Sequence, residues 1–476
     1  MSSLLIFFVS LGFIGLLENV HAEKTEETEE MISSGPPKST RALTPMERMD
    51  FEGFFEKALQ ASAQIKESQA ALDYAEALRS LGRSMLFPKV QIEMMAGPSP
   101  TYRGNALSST TSYEAWGVAF QSKAEWIQPL YTFGAIAKVR EAAELAYEAE
   151  MGRHKREKWL LRQNVAKLFY GYQLAFELRE LTRDLLEQLR KARVEGTKML
   201  RSRRKGAPSM TDLDRLSVQI SELEARFEEA QKFMDLARLG MSIELGVYGQ
   251  AEPRWIRANL TRRDVPLRDL EFYRAISHQK RPEYVALRKE IEAREAFADS
   301  EKAKQFPVLF AGARWQFAHN GVSEDQKSIY AQDPLNQNSV AAGLGLKWDL
   351  FSAEQRAKSS MARAEAIKTR AKNEGLLTKL DAELEKNYLE LRFLLNATAQ
   401  RESAQKSARR VYTDMLAGFA LGTSSAKDLL ESLGALAMAQ KSYLESVFEE
   451  QQAWVRLESS MGERVDLAYS SSSSFE

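Results

Sequence analysis

Cysteine is absent from all 476 residues. That excludes disulfides, thiolate nucleophiles, Cys-ligated metals and a lipid anchor on an N-terminal cysteine. Only four histidines occur, at 21, 154, 278 and 319, too scattered to form a ligand set, so neither a metal nor a cofactor is expected. Net charge is missing too: Lys plus Arg and Asp plus Glu each number 66, which leaves no global field to draw in nucleic acid. The chain has no Walker-type phosphate loop and no Gly-x-Ser-x-Gly elbow. Glu67, Glu93 and Asp349 stand as isolated acids without a partner at catalytic spacing, so an enzyme is not expected.

Long hydrophobic runs are equally scarce. The apolar stretch Leu4 to Leu17, followed by Val20-His21-Ala22, reads as an export signal over residues 1–22, although Met1-Ser2-Ser3 lacks the usual basic residue. The run is short for a membrane-spanning helix. Residues 23–45 are acidic and then Ser/Pro-rich, the composition of a flexible linker.

Beyond the linker the chain is written twice. Phe87-Pro88-Lys89-Val90 recurs as Phe306-Pro307-Val308-Leu309, Pro129-Leu130-Tyr131 as Asp349-Leu350-Phe351, Tyr170 as Tyr388, and Lys205-Gly206 as Leu421-Gly422, at a nearly constant offset. The repeats are placed at 46–250 and 251–465, with a Ser-rich tail at 466–476. Each reads as a helical stretch, two alternating segments, a long helical stretch, a glycine-containing break and another helix.

The helical faces are explicit. Leu161, Val165, Leu168, Tyr172 and Ala175 recur at steps of three and four, and Leu377, Leu380, Leu384, Tyr388, Leu391 and Leu395 repeat the pattern. Leu213, Leu216, Ile220, Leu223, Phe227 and Ala230 form a heptad seam, which predicts coiled-coil packing. Proline is missing from Tyr131 to Arg204, a stretch that would reach on the order of 100 Å if helical throughout.

The alternating segments, near 88–97, 113–130, 307–318 and 339–351, have period two. Trp116, Val118 and Phe120 oppose Ala115, Gly117, Ala119, Gln121, Lys123 and Glu125; Val340, Ala342, Leu344, Leu346, Trp348 and Leu350 oppose Ala341, Gly343, Gly345, Lys347 and Asp349. The stretch from Gly97 to Ser112 is turn-rich and predicts a long hairpin loop. A sandwich would need a second sheet for the greasy face, and four strands do not supply one. A transmembrane barrel needs the same alternation, but closing one takes roughly eight strands or more, so several chains would have to share it.

These signals together resemble the TolC family of outer-membrane efflux channels over roughly Met46 to Gly462. They are the duplication, the Phe-Pro starts of the strands, Pro129-Leu130-Tyr131 at a strand exit, Arg281-Pro282-Glu283 and the two glycine breaks. The resemblance implies a mainly α fold with a membrane β part. Four strands per chain would join a shared twelve-stranded β-barrel in a homotrimer, above an antiparallel helical coiled-coil tunnel. It implies residence in the outer membrane of a Gram-negative bacterium with helices in the periplasm. It also implies a passive role beside a periplasmic adaptor and an inner-membrane pump or ABC transporter. The glycine breaks would be the inner hairpin tips, with Gly206, Ser209, Gly422, Thr423 and Ser424 meeting the adaptor. Asp428 and Glu431, three apart on one helical face, would ring the pore under threefold symmetry and favour cations. Thr211 and Asp212 match residues that bond across the family's closed tip. Phe419 and Ser424 stand where some members carry a tyrosine and an arginine, so those bonds cannot form here.

Two plainer readings stay open at the tips. Asp212 and Asp428 each fall in the first turn of a helix, where a carboxylate suits the macrodipole. Arg201, Arg203, Arg204 and Lys205 would complete the end of the preceding one. For the chain as a whole the rival is a structural coiled-coil protein of the cell envelope, which would have no use for the four strands.

Overall fold

Asp50 precedes an apolar-periodic run and caps the helix it opens, α1 (Phe51–Ala61), its carboxylate accepting the Gly53 N–H at 2.8 Å. The structure, a computed structural model, describes residues 50–105, 108–202, 207–248, 259–324, 333 and 335–472. The expected export signal, the linker, and Arg203, Arg204, Lys205 and Gly206 of the first break lie outside the described residues.

The helices come in matched pairs. α1 and α5 (Leu270–Lys280) have 11 residues each, and α2 (Ala63–Ser84) and α6 (Pro282–Ala303) have 22 each. α3 (Ala135–Arg201) has 67 against 69 in α7 (Ala353–Leu421), and α4 (Met210–Glu244) has 35 against 36 in α8 (Ala426–Met461). At 1.5 Å per residue α3 and α7 each run about 100 Å. Pro282 starts α6 at a position where its missing N–H costs nothing. α3 lies against α2 and α6 and, further along, α4; α7 lies against α6 and α8. Leu213, Leu216, Ile220, Leu223 and Ala230 are buried on the α3-facing seam as the heptad predicts. Among the described residues no helix is long and apolar enough to cross a membrane.

Four antiparallel strands make one sheet in chain order: β1 (Lys89–Asn105), β2 (Ser108–Tyr131), β3 (Val308–Asn320) and β4 (Gln337–Lys347). The long loop expected between Gly97 and Ser112 is instead strand on both sides, paired down to Asn105 opposite Ser108. Gly, Pro and Ser in that stretch read as a turn, but Pro98 and Pro100 sit on an edge strand. They share parity with Tyr102, whose N–H and C=O bond away from β2. A missing N–H at those positions removes no ladder bond.

Both descents from strand to long helix turn on a phenylalanine with positive φ two residues before the helix: Phe133 at 50° and Phe351 at 63°. Such backbone costs a non-glycine residue roughly 1 kcal/mol or more. Phe133 packs on Tyr131 and Phe306 at centroid distances of 4.7 and 5.6 Å, whereas Phe351 points into open surroundings.

A knot of buried charge ties the first repeat to the second. The extended residues 259–269 cross α8, with Arg262 Nε 3.2 Å from Glu450 Oε2 and Arg263 Nη1 2.9 Å from Glu458 Oε1. Gln451 Nε2 donates to the Thr261 carbonyl at 2.6 Å. Arg162 of α3 grips both oxygens of Glu52 on α1 at 2.6 and 2.9 Å and brings Nε to 3.8 Å from Glu458 Oε2. Burial pushes the Glu450 carboxyl up from its ordinary value despite the guanidinium of Arg262 beside it. The expected Ser-rich tail begins instead as α9 (Val465–Ser472), because Val465 and Ala468 are buried against α5 and α8. Glu458→Ala would leave the partly buried Arg263 without its carboxylate and the buried Arg162 with Glu52 alone. The expected loss is about 3–5 kcal/mol of unfolding free energy, read from the urea midpoint of the detergent-solubilised protein.

Candidate functional site

Residues directly opposite each other in a ladder share a face of the sheet, and here the register carries each face across all four strands. One row reads Val90, Trp126, Ala313, Ala342 and the next but one Ile92, Ala124, Trp315, Val340. The intervening rows, on the other face, read Gln91, Glu125, Arg314, Ala341 and Glu93, Lys123, Gln316, Ser339. On that face Arg314 and Glu125 form an ion pair at 2.8 Å. The apolar face is left uncovered: Val118 is 68% exposed and Val340 and Leu344 are each 75% exposed. On the polar face Gly117, Ala119, Gln121 and Lys123 are half-buried and Gln91, Glu93 and Arg314 are exposed. The outer edges of β1 and β4 have no strand neighbour among the described residues.

At the far end of the long helices the two breaks are brought together. Leu189 and Ala192 of α3, Leu213 of α4, Phe419 of α7 and Leu429 and Leu433 of α8 belong to one buried cluster. α7 ends at Gly422, whose φ of 77° is the left-handed conformation a helix C-terminus uses. Thr423 then turns back, its Oγ1 donating to the Gly418 carbonyl at 3.1 Å, and Ser424 Oγ approaches Met415 Sδ at 3.9 Å. Thr211 is exposed in the first turn of α4.

Ser209 and Ser425 are N-caps, and each forms a capping box with an aspartate three residues on. Asp212 Oδ2 accepts the Ser209 hydroxyl at 2.7 Å and its N–H at 3.1 Å, while Ser209 Oγ accepts the Asp212 N–H at 3.1 Å. Ser425 and Asp428 repeat this at 2.7, 3.3 and 3.2 Å. The plainer reading of the two aspartates is therefore realised; the second oxygen of Asp212 faces Arg215 Nη1 at 3.5 Å, and the capping bonds of Asp428 fall on Oδ2 alone. The serine hydroxyl bonds hold both carboxyls below their usual value. Glu431 is exposed on the same side as Asp428, with Oε1 3.7 Å from Lys427 Nζ. Phe419, read in the sequence only as a missing hydroxyl, is a core residue that knits the tip of α7 to α3 and α4. Its burial follows the same helical period as Tyr412 one face-repeat earlier.

A sequence model described as outer membrane efflux protein matches residues 55–240 and 276–463, one block in each repeat and more than half of the chain. Among curated proteins no sequence matches the chain. Solved structures do match. The outer membrane protein VceC of Vibrio cholerae is 15% identical, with 87% of this chain and 96% of VceC covered and a TM-score of 0.68. The CmeC outer membrane channel of Campylobacter jejuni is 11% identical, with coverages of 91% and 93% and a TM-score of 0.69. The MtrE outer membrane channel of Neisseria gonorrhoeae, in its open state, is 14% identical, with coverages of 87% and 89% and a TM-score of 0.69. At these identities the likeness is one of fold.

The capping boxes carry a signed pH dependence. A carboxyl held below its ordinary value of 3.8 in the folded protein contributes stability that is complete above that value. The contribution is lost as pH falls through the depressed one. Replacing Ser209 and Ser425 together with Ala should therefore speed amide exchange in the first turns of α4 and α8 at neutral pH. The gap in protection factors between variant and wild type should narrow once the aspartates are protonated, leaving the part due to the lost serine Oγ caps.

Proposed function

Since this chain belongs to the outer membrane efflux protein family, we propose that three copies close one barrel and form a passive efflux channel through the outer membrane. The observation that supports this most directly is the two-faced sheet. One face exposes Val90, Ile92, Val118, Val340 and Leu344, the other carries Glu93, Lys123, Glu125 and Arg314, and neither β1 nor β4 has a strand neighbour on its outer edge among the described residues. In hydrocarbon every backbone donor and acceptor has to be bonded within protein, so a four-stranded sheet with such a face is complete only when its edges meet those of other copies. Lipid then takes Val90, Ile92, Val118, Val340 and Leu344, and a water-filled lumen takes Glu93, Lys123, Glu125, Arg314 and Gln316.

The long helices continue that lumen as a periplasmic tunnel whose inner end is the paired tip. There Asp428 and Glu431 act as the pore gate with Thr211 and Asp212, and Ser209, Gly422, Thr423 and Ser424 offer the surface for a periplasmic adaptor. Gly206, assigned the same role, lies outside the described residues. An inner-membrane pump or ABC transporter supplies the energy. Phe419 cannot donate a hydrogen bond and is committed to the core, so closure of this tip relies on helix packing rather than on a hydroxyl lock at that position.

Planar-bilayer recording of the purified protein, with its mass measured in detergent, tests the reading. Trimers with discrete conductance steps are expected. A non-conducting monomer or dimer would return the chain to the structural coiled-coil reading. In the conducting protein, Asp428→Ala combined with Glu431→Ala should shift the reversal potential toward weaker cation selectivity. An unchanged potential removes both residues from the pore.

A further inference from the structure

The first hairpin is longer than the second, with strands of 17 and 24 residues against 13 and 11. The excess lies at the end away from the helices, beyond the last β2–β3 pair at Ala119 and Asn320. There the chain leaving β3 does not run straight on. Asn320, 2% exposed, donates from Nδ2 to Ser99 Oγ at 3.0 Å and accepts the Val322 N–H on Oδ1 at 3.2 Å.

Ser99, Gly117 and Asn320 belong to the polar face: Asn320 stands opposite Ala119 in the row of Gly97, and Ser99 and Gly117 form the next row on that face. Val322 lies over Gly117 so closely that a Cβ there would stand 2.5 Å from its methyl carbons, which only glycine avoids. The chain then reaches the far edge of β1. Ser323 Oγ accepts the Tyr102 N–H at 3.3 Å, the Glu324 N–H donates to the Tyr102 carbonyl at 3.2 Å, and Glu324 Oε2 accepts the Gly104 N–H at 3.2 Å. Crossing from β3 over β2 to the outer side of β1, these residues lie across the polar face. Their bonds also occupy the outward groups of β1 beyond Pro100, so a neighbouring strand has no ladder to join there.

We propose that residues 320–324 form a strap that narrows the outer mouth of the channel. This rests on the channel reading, which makes the polar face the lumen wall. With the helices on the periplasmic side, the strap sits at the opposite rim, and each copy contributes one. It is held by a few polar contacts and one methyl-on-glycine contact rather than by a core, so it opens at modest cost. The outer mouth is then a constriction separate from the helical tip, set by Val322, Ser323 and Glu324.

The absence of native cysteine allows a direct test. Gln316→Cys places one thiol on the polar face below the strap, opposite Lys123 and Ser339. Intact cells carrying it are treated with a small membrane-impermeant maleimide or with a bulky polyethylene glycol maleimide. Added Glu324→Ala removes the carboxylate anchor, and in a second protein Gly117→Ala pushes Val322 away without changing any residue of the strap itself. Both should raise the bulky-reagent rate on the order of tenfold, the population shift expected on losing one charge-assisted bond, while leaving the small-reagent rate unchanged. Equal bulky-reagent rates in all three proteins would overturn the strap and leave the channel reading intact. If the small reagent also fails to reach Gln316→Cys, the polar face is not a lumen and both readings fall.

Discussion

An apolar sheet face is unfavourable in water and an open sheet edge is unfavourable in lipid. The β-sheet of this protein has both, and its other features become intelligible once that conflict is taken as the governing constraint. Four strands turn their Val, Leu, Ile and Trp side chains outward and leave the outer edges of β1 and β4 without a strand neighbour among the described residues. Among the described residues no element of the same chain covers the apolar face. The proposed threefold barrel resolves the conflict with one arrangement, because joining edges satisfies the backbone while the hydrocarbon accepts the greasy face. A helical envelope protein would gain nothing from these strands.

The duplication shows which parts of the fold are held to one length. Paired helices differ by at most two residues across the two repeats. That is expected where α3 and α7 both run from the sheet to a common tip: a longer member would carry its break out of the shared cluster around Leu213, Phe419 and Leu429. The strands escape this constraint at their far ends, and there the repeats diverge. Two prolines on an edge strand, a bulge after Pro100 and the strap from β3 all fall in the extended first hairpin. The tips carry a second kind of economy. Ser209 with Asp212, and Ser425 with Asp428, satisfy the starts of α4 and α8, and the second of these carboxylates is one of the two proposed for the pore. Structural and gating roles at Asp428 are compatible because a capping box engages chiefly one carboxylate oxygen.

The amino-acid sequence by itself determined the duplication, the buried helical seams, the two faces of the strands and the impossibility of closing a barrel with one chain. Each of these follows from the order of residues within a window of a few turns or strand steps, where a period of 3.6 or 2 forces side chains onto a face. It also placed Asp212 and Asp428 in the first turn of a helix, because a carboxylate just after a glycine break is a local signal. Tertiary structure alone decided the rest. Pro98 and Pro100 looked like a loop until β1 proved to be an edge. The serines after Val465 looked like a tail until α5 and α8 covered Val465 and Ala468. Arg262 meets Glu450 across 188 positions and Asn320 meets Ser99 across 221. Contacts at such separations leave no periodic trace in a single sequence, since they depend on where two distant segments arrive in space rather than on what surrounds either one along the chain.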